Sequence, residues 1–176
     1  MIYLIGGTPR VGKSTLASMI LERKQISSLS TDVIRNLIDY SPTKVGIKNI
    51  AINKQSEAFF PYLIQLIKIL QNKYPNYVIE GDLFSPEQVA SMQEEINLRT
   101  CFIGTSNIAL ADLKKIDSKL DWISKLTPEE QLIIPGQFVK RSGTTKAEAE
   151  KYGFPYFDIY PDRQTALESA YTELMK

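Results

Sequence analysis

The sequence predicts an α/β fold built on a five-stranded, mostly parallel sheet. Three observations carry this. Short apolar runs recur five times along the 176 residues, and each is followed by a segment of helical character. The connections between the runs are helix-sized, as a parallel crossover requires. The length suits one domain with a hydrophobic core of its own.

Ile2-Tyr3-Leu4-Ile5 is a continuous apolar run closed by Gly6-Gly7, the pattern of a strand buried on both faces. Leu16 to Lys24 groups Leu16, Met19 and Ile20 and reads as a helix. Residues 25–30 (QISSLS) give a weak second strand. Thr31-Asp32 open a helix in which Leu37 and Ile38 follow Val33 and Ile34 at a spacing of four. Residues 41–46 form a loop. A helical region covers about 47–73, with Leu63, Leu66, Ile67 and Leu70 as its stripe, and Pro61 is expected to break it in two. Tyr77-Val78-Ile79 is the third strand and ends at Glu80-Gly81. Ser85-Pro86-Glu87-Gln88 starts a helix, with Ser as N-cap, Pro at the first position and Gln closing a capping box. Leu98 to Ile103 is the fourth strand, closed by Gly104, and a helix follows at about 107–119. Thr127-Pro128-Glu129-Glu130 repeats the capping pattern. Residues 134–146 hold Pro135, Gly136, Ser142, Gly143 and two threonines, so they are expected to be irregular and mobile. Tyr156 to Tyr160 is the fifth strand, and Asp162 opens a last helix to about 175.

Composition narrows the chemistry. The chain has no His, which excludes Ser-His-Asp and Cys-His catalysis, HExxH metal sites and a proximal-His haem. Cys101 is the single cysteine, so there is no intrachain disulfide and no CxxC pair. Acid–base or phosphate chemistry must rest on carboxylates, Lys, Arg, hydroxyls and backbone amides. No apolar run approaches the ~20 residues of a membrane span. MIYLIGG lacks a basic n-region, so a reduced, cytoplasmic setting is the expectation. The formal net charge is +1, yet residues 1–75 carry ten basic and four acidic residues, and 76–176 carry eleven and sixteen. Such asymmetry suits an anion-handling first half.

The sharpest motif is Gly7-Thr8-Pro9-Arg10-Val11-Gly12-Lys13-Ser14, which fits G-x-x-x-x-G-K-[ST] and is followed by Thr15. A strand precedes it and a helix follows it, as the motif's physics requires. Its glycines let successive backbone N–H groups turn inward as an anion nest, and the helix start adds its positive end. Lys13 would bridge the β- and γ-phosphates of ATP, and the Ser14 hydroxyl would ligate Mg²⁺. A guanine-reading NKxD is missing: neither Asn53-Lys54 nor Asn72-Lys73 has an Asp two residues after its Lys.

Asp32 falls at the end of the second strand, where ligands of open α/β sheets sit, and could align an acceptor hydroxyl or cap the next helix. Arg35, three residues on, could hold an acceptor group or pair with Asp32. Glu80 ends an apolar strand as a metal-holding acid does, and Asp82 is the alternative. Lys140 and Arg141 fall in the 134–146 segment and could act as lid cations over a transferring phosphoryl group.

GGTPRVGKSTLA, LSTDVIR and VIEGDLFSP together resemble the P-loop small-molecule kinases, and among them the 2-phosphoglycerate kinase-like branch. The likeness covers about the first 90 residues in order and spacing. It implies a three-layer α/β/α P-loop NTPase of the adenylate-kinase type, with strand order 2-3-1-4-5, ATP and Mg²⁺ as cofactors and a small acceptor. Asp32 and Arg35 match the acceptor-side motif, and Glu80 matches the Walker-B-type acid. Asp32 is also similar in place to the acceptor-activating Asp of chloramphenicol phosphotransferase and of zeta-toxin-type kinases. The branch often carries a His before the Pro of its third motif; this chain has Phe84 nearby.

The expected activity is transfer of the γ-phosphoryl of ATP to a hydroxyl of a small metabolite. The acceptor region would lie at about 41–75 and the lid at about 127–152 of a single domain. Lys44, Lys48, Lys54, Lys68 and Lys73, opposed by Glu57, could form an acceptor face suited to an anion. An ATP-binding regulatory module and a polynucleotide 5′-hydroxyl kinase are the alternatives. The near-neutral charge argues against a nucleic-acid partner. A monomer or homodimer is expected.

Overall fold

In the computed structural model, strand β1 (Ile2–Gly7) runs through the middle of the sheet, and all six of its residues are buried. The structure describes residues 1–42, 45–93, 95–115 and 122–176. Strands β2 (Ser28–Ser30), β3 (Tyr77–Glu80), β4 (Leu98–Gly104) and β5 (Tyr156–Asp158) complete the sheet in the order β2-β3-β1-β4-β5. Every pairing is parallel. The order foreseen from the motif resemblance is therefore the order observed.

Seven α-helices are described: α1 (Lys13–Lys24), α2 (Thr31–Asp39), α3 (Ile52–Lys73), α4 (Pro86–Met92), α5 (Leu110–Lys115), α6 (Pro128–Lys151) and α7 (Arg163–Leu174). Side-chain alternation along the central strand divides the core between them. Ile2 and Leu4 of β1 join Ile79 and Phe102 under α3 and α4, with Phe59, Leu63, Ile67 and Val89. Tyr3 and Ile5 face the other way and join Val78, Cys101 and Ile103 against Leu16 and Ile20 of α1 and Leu167 and Leu174 of α7. A satellite cluster of Leu113, Ile123, Ile134 and Phe138 ties α5 to the first half of α6.

Two expectations fail for one physical reason. Pro61 does not divide its helix, since α3 runs unbroken for 22 residues. Pro61 and Glu57 are both exposed, so the carbonyl deprived of its usual donor can turn to water, while Phe59, Leu63, Ile67 and Leu70 keep one buried stripe. Residues 134–146 are not irregular either. They belong to α6, which is helical for 24 residues despite Pro135, Gly136 and Gly143. Ile134, Phe138, Ser142 and Ala149 recur on its buried face, and packing of that stripe outweighs local helix propensity. The helix expected at 107–119 is described as Leu110–Lys115, and 116–119 lie outside the described residues, as does Lys44. The capping boxes at Ser85 and Thr127 form as expected.

Because all strands run the same way, their carboxyl ends share one edge. Gly7, Ser30, Glu80, Gly104 and Asp158 end there, and most of the residues discussed next lie at these ends or in the segments that follow them.

Candidate active site

The loop between β1 and α1 has the backbone its sequence requires. Gly7 and Gly12 have φ of 132° and 105°, and Arg10 is left-handed at 64°. A Cβ on Gly7 would lie 1.8 Å from the carbonyl oxygen of Ile103, so only glycine fits beside β4. Thr8 donates its backbone N–H to that same oxygen at 3.2 Å. Val11 is buried and anchors the turn.

Lys13 opens α1 with its side chain turned back into the loop, where Nζ donates to the Thr8 carbonyl at 2.7 Å. It is 8% exposed. Burial lowers its pKa, and the nearby carboxylates of Asp82, Glu80 and Asp32 oppose that shift while Arg141 adds to it. Ser14 donates its hydroxyl to Glu80 Oε1 at 3.2 Å, joining the loop to the end of β3. The Arg10 guanidinium donates to the Leu113 carbonyl of α5 at 2.8 Å. Thr15 accepts from Arg163 at 3.4 Å, and the Arg163 guanidinium lies against Gly12. Pro9 is half-buried in the same loop.

The second acidic position is set by α2. Ser30, not Asp32, is the N-cap, and its hydroxyl accepts from the Asp32 backbone N–H at 3.3 Å. The Asp32 carboxylate is thereby released from capping and pairs with Arg35 at 3.0 Å. Although its side chain is 57% exposed, the carboxylate is buried enough by its neighbours to raise its pKa. Repulsion from Asp82 adds to that rise, and Arg35 and Lys13 oppose it. Thr31 is fully buried and packs so tightly on Gly81 that a Cβ there would lie 1.7 Å from the Thr31 hydroxyl.

Glu80 and Asp82 have different partners. Glu80 is buried and faces Ser14. Asp82 meets Arg141, whose Nη1 lies 3.3 Å from its Oδ2 and whose Nη2 donates to its carbonyl at 2.8 Å. Arg141 therefore stands over the site from a packed helix, and Lys140 beside it is exposed.

Ser142 was not foreseen as part of the site. It is 1% exposed, shares a 2.7 Å hydrogen bond with the Thr8 hydroxyl and accepts from the Thr105 backbone N–H at 3.0 Å. Tyr156 is hydrogen-bonded to it as well, and burial pushes the Tyr156 hydroxyl up to about 12. Ser142 thus pins α6 to the loop between β1 and α1. Its sequence signal is a lone hydroxyl in the row Ile134, Phe138, Ser142, where the helix stripe calls for an apolar residue.

Beside this constellation opens a cavity of about 660 Å³, within the range of small-molecule sites. Gly7, Gln55 and Ser56 of α3, residues 82–86, and Arg141, Thr144, Thr145 and Glu148 of α6 line it. The expected acceptor region and lid region both contribute to its wall. Lys48, Lys54, Lys68 and Lys73 do not line it; Lys48 lies over the Tyr40 ring at 4.0 Å.

No protein-family model matches the chain, and no curated protein matches its sequence. Solved structures match it in fold. A shikimate kinase from Bacteroides thetaiotaomicron aligns over 99% of this chain and 96% of its own, with a TM-score of 0.61 and 13% identity. A sugar kinase from Janibacter sp. aligns over 99% and 94%, with a TM-score of 0.64 and 12% identity. A deoxyadenosine kinase from M. mycoides, solved with bound dATP, aligns over the full length of both chains, with a TM-score of 0.54 and 16% identity.

Proposed function

We propose that this chain is an ATP-dependent phosphotransferase that moves the γ-phosphoryl group of ATP to a hydroxyl of a small acceptor. The observation that carries the reading is the Ser14–Glu80 hydrogen bond beside the buried Lys13, in a loop whose positive φ angles leave room for a close backbone approach. The three motifs shared with the 2-phosphoglycerate kinase-like branch, and the fold shared with proteins named as shikimate, sugar and deoxyadenosine kinases, support the same class.

The residues have complementary tasks. Backbone amides between Arg10 and Thr15 cradle the phosphates, since Pro9 carries no N–H and the Thr8 N–H is held by Ile103, and Lys13 places its charge between the β- and γ-groups. Ser14 and Glu80 are the residues suited to hold Mg²⁺, a hard cation that takes oxygen ligands and would offset phosphate charge. Glu80 takes this role rather than Asp82 because Asp82 is engaged by Arg141. Asp32 accepts the proton of the acceptor hydroxyl as its oxygen bonds to the γ-phosphorus and the bond to the departing ADP breaks. Arg35 orients Asp32. Arg141, on α6, stabilises the charge spread over the transferring group.

The test is a screen with ATP·Mg²⁺ against hydroxylated metabolites, read by mass spectrometry for a gain of one phosphoryl group. Lys13→Ala is expected to lower product formation at least ~100-fold, the scale for losing a group that stabilises developing charge. Turnover retained in that variant would refute the loop's role.

A further inference from the structure

The acceptor cavity has a charge pattern that the basic first half of the sequence does not suggest. Its lining contains one cation, Arg141, and two carboxylates, Asp82 and Glu148. Arg141 is already engaged, with one terminal nitrogen on the Asp82 carboxylate and the other on the Asp82 carbonyl. An anionic acceptor would need a cation of its own, and among the described lining residues the one cation, Arg141, is already shared between Asp82 and the transferring phosphoryl group of the proposed reaction. The mouth of α4 gives no substitute. Its leading donors are held within its own capping box: Ser85 donates to Gln88 Oε1 at 2.9 Å, and Gln88 donates to Ser85 Oγ at 3.3 Å. Glu87 adds a further negative charge to that turn.

Glu148 is the opposite case. Its carboxylate has no ion pair or hydrogen bond among those described. Burial and the neighbouring Glu87 make its charge unfavourable. Lys151 opposes this only in part, because its ammonium donates to the Tyr152 hydroxyl, which in turn donates to Glu87. An uncompensated carboxylate in the wall of a cavity is a receptor for a cation.

Resting on the phosphotransferase reading, we infer that the acceptor is a hydroxylated amine, its ammonium group received by Glu148 and its reactive hydroxyl held at the Gly7 end, beside the Asp82–Arg141 pair. Arg141, Thr144, Thr145 and Glu148 lie along one face of α6, and seven residues of helix span about 10 Å. The amine and the reactive hydroxyl are therefore several bonds apart, as in an amino sugar or a long amino alcohol. Gln55, Ser56, Thr144 and Thr145 provide neutral polar groups for the hydroxyls between. The reacting atoms balance as in the parent reaction: the acceptor oxygen gains the phosphoryl group, ADP leaves and the proton passes to Asp32.

The test uses matched triads of compounds, each a hydroxylated skeleton bearing an amine, a hydroxyl or a carboxylate at the same carbon. Phosphorylation with ATP·Mg²⁺ and binding by calorimetry are both measured on the full chain. The amine member is expected to exceed its neutral partner about tenfold in kcat/KM, the scale of one charge-assisted hydrogen bond, and the carboxylate member to be the poorest. Glu148→Gln should bring the amine-to-neutral ratio near unity, and Glu148→Lys should invert the order of the charged members. Preference for the carboxylate, an amine preference that survives Glu148→Gln, or neither binding nor turnover of any amine would overturn the inference. Glu148-dependent amine binding without a phosphorylated product would keep the amine site at Glu148 and remove the phosphotransferase reading, so the amine would be a ligand and not an acceptor.

Discussion

Asp32 shows how much one hydroxyl upstream can decide. With Ser30 as the helix cap, the Asp32 carboxylate pairs with Arg35 instead of its own backbone. The sequence left both roles open because Ser30, Thr31 and Asp32 are all good N-caps, and propensity alone does not rank neighbours. The same holds for Glu80 and Asp82, which spacing cannot separate and which only their partners, Ser14 and Arg141, distinguish. The raised pKa of Asp32 has a testable sign. On the proposed mechanism the deprotonated form accepts a proton, and that form is lost at higher pH than for an ordinary aspartate, so the acidic limb of kcat should be displaced upward. Asp32→Asn is expected to lower kcat by about 10²–10⁴-fold and to erase that limb. The folded state also binds this proton more tightly than the unfolded chain does. Ionised Asp32 therefore opposes folding above its folded-state pKa, and the penalty is relieved as pH falls through it. Asp32→Asn should accordingly melt no lower than the unmodified protein at neutral pH, as checked by thermal denaturation; a lower Tm would show that the Arg35 pair dominates.

At the level of elements, α6 is the instructive case. Its breakers are visible in the sequence, while its stripe of Ile134, Phe138, Ser142 and Ala149 becomes decisive only against a sheet and α5 that local patterns cannot place. A Cβ on Gly136 or Gly143 meets nothing within 4 Å, and both residues are exposed. Gly136→Ala and Gly143→Ala should each stabilise the protein by about 0.5–1 kcal/mol, since helix-interior glycine loses that much to backbone entropy. Together they should raise Tm by about 2–8 °C. Gly104→Ala is expected to do the reverse, by about 1–3 kcal/mol, because its Cβ would lie 2.1 Å from the Tyr156 hydroxyl. Calorimetry of the three variants separates these signs. The strands and the two capping boxes were legible because each is specified within a few residues.

Across the whole molecule, the alternation of strands and helices was enough to read the fold class, and the motif resemblance supplied the strand order. The cavity wall was not legible, because it is assembled from α3, the turn after β3 and α6, which lie far apart in the chain. The excess of lysines in the first half likewise says little about the cavity, since the described lysines of 45–75 do not line it. If the loop binds nucleotide in the native state, ATP·Mg²⁺ at a hundredfold excess over Kd should add about 2.7 kcal/mol of stability. In a domain of this size that corresponds to a Tm rise of about 5–10 °C, read by thermal shift. A shift that persists in Lys13→Ala would place binding elsewhere. No described helix is long and apolar enough to cross a membrane. The parallel sheet also has a practical side for anyone who wishes to watch this protein work. The candidate site residues gather at one edge, while the turn at 74–76 leads into β3 at the other, about 20 Å away for a six-residue strand. Tyr74 is 45% exposed there, so a dye or surface linker attached at that position would report on the molecule while leaving the entrance to its cavity clear.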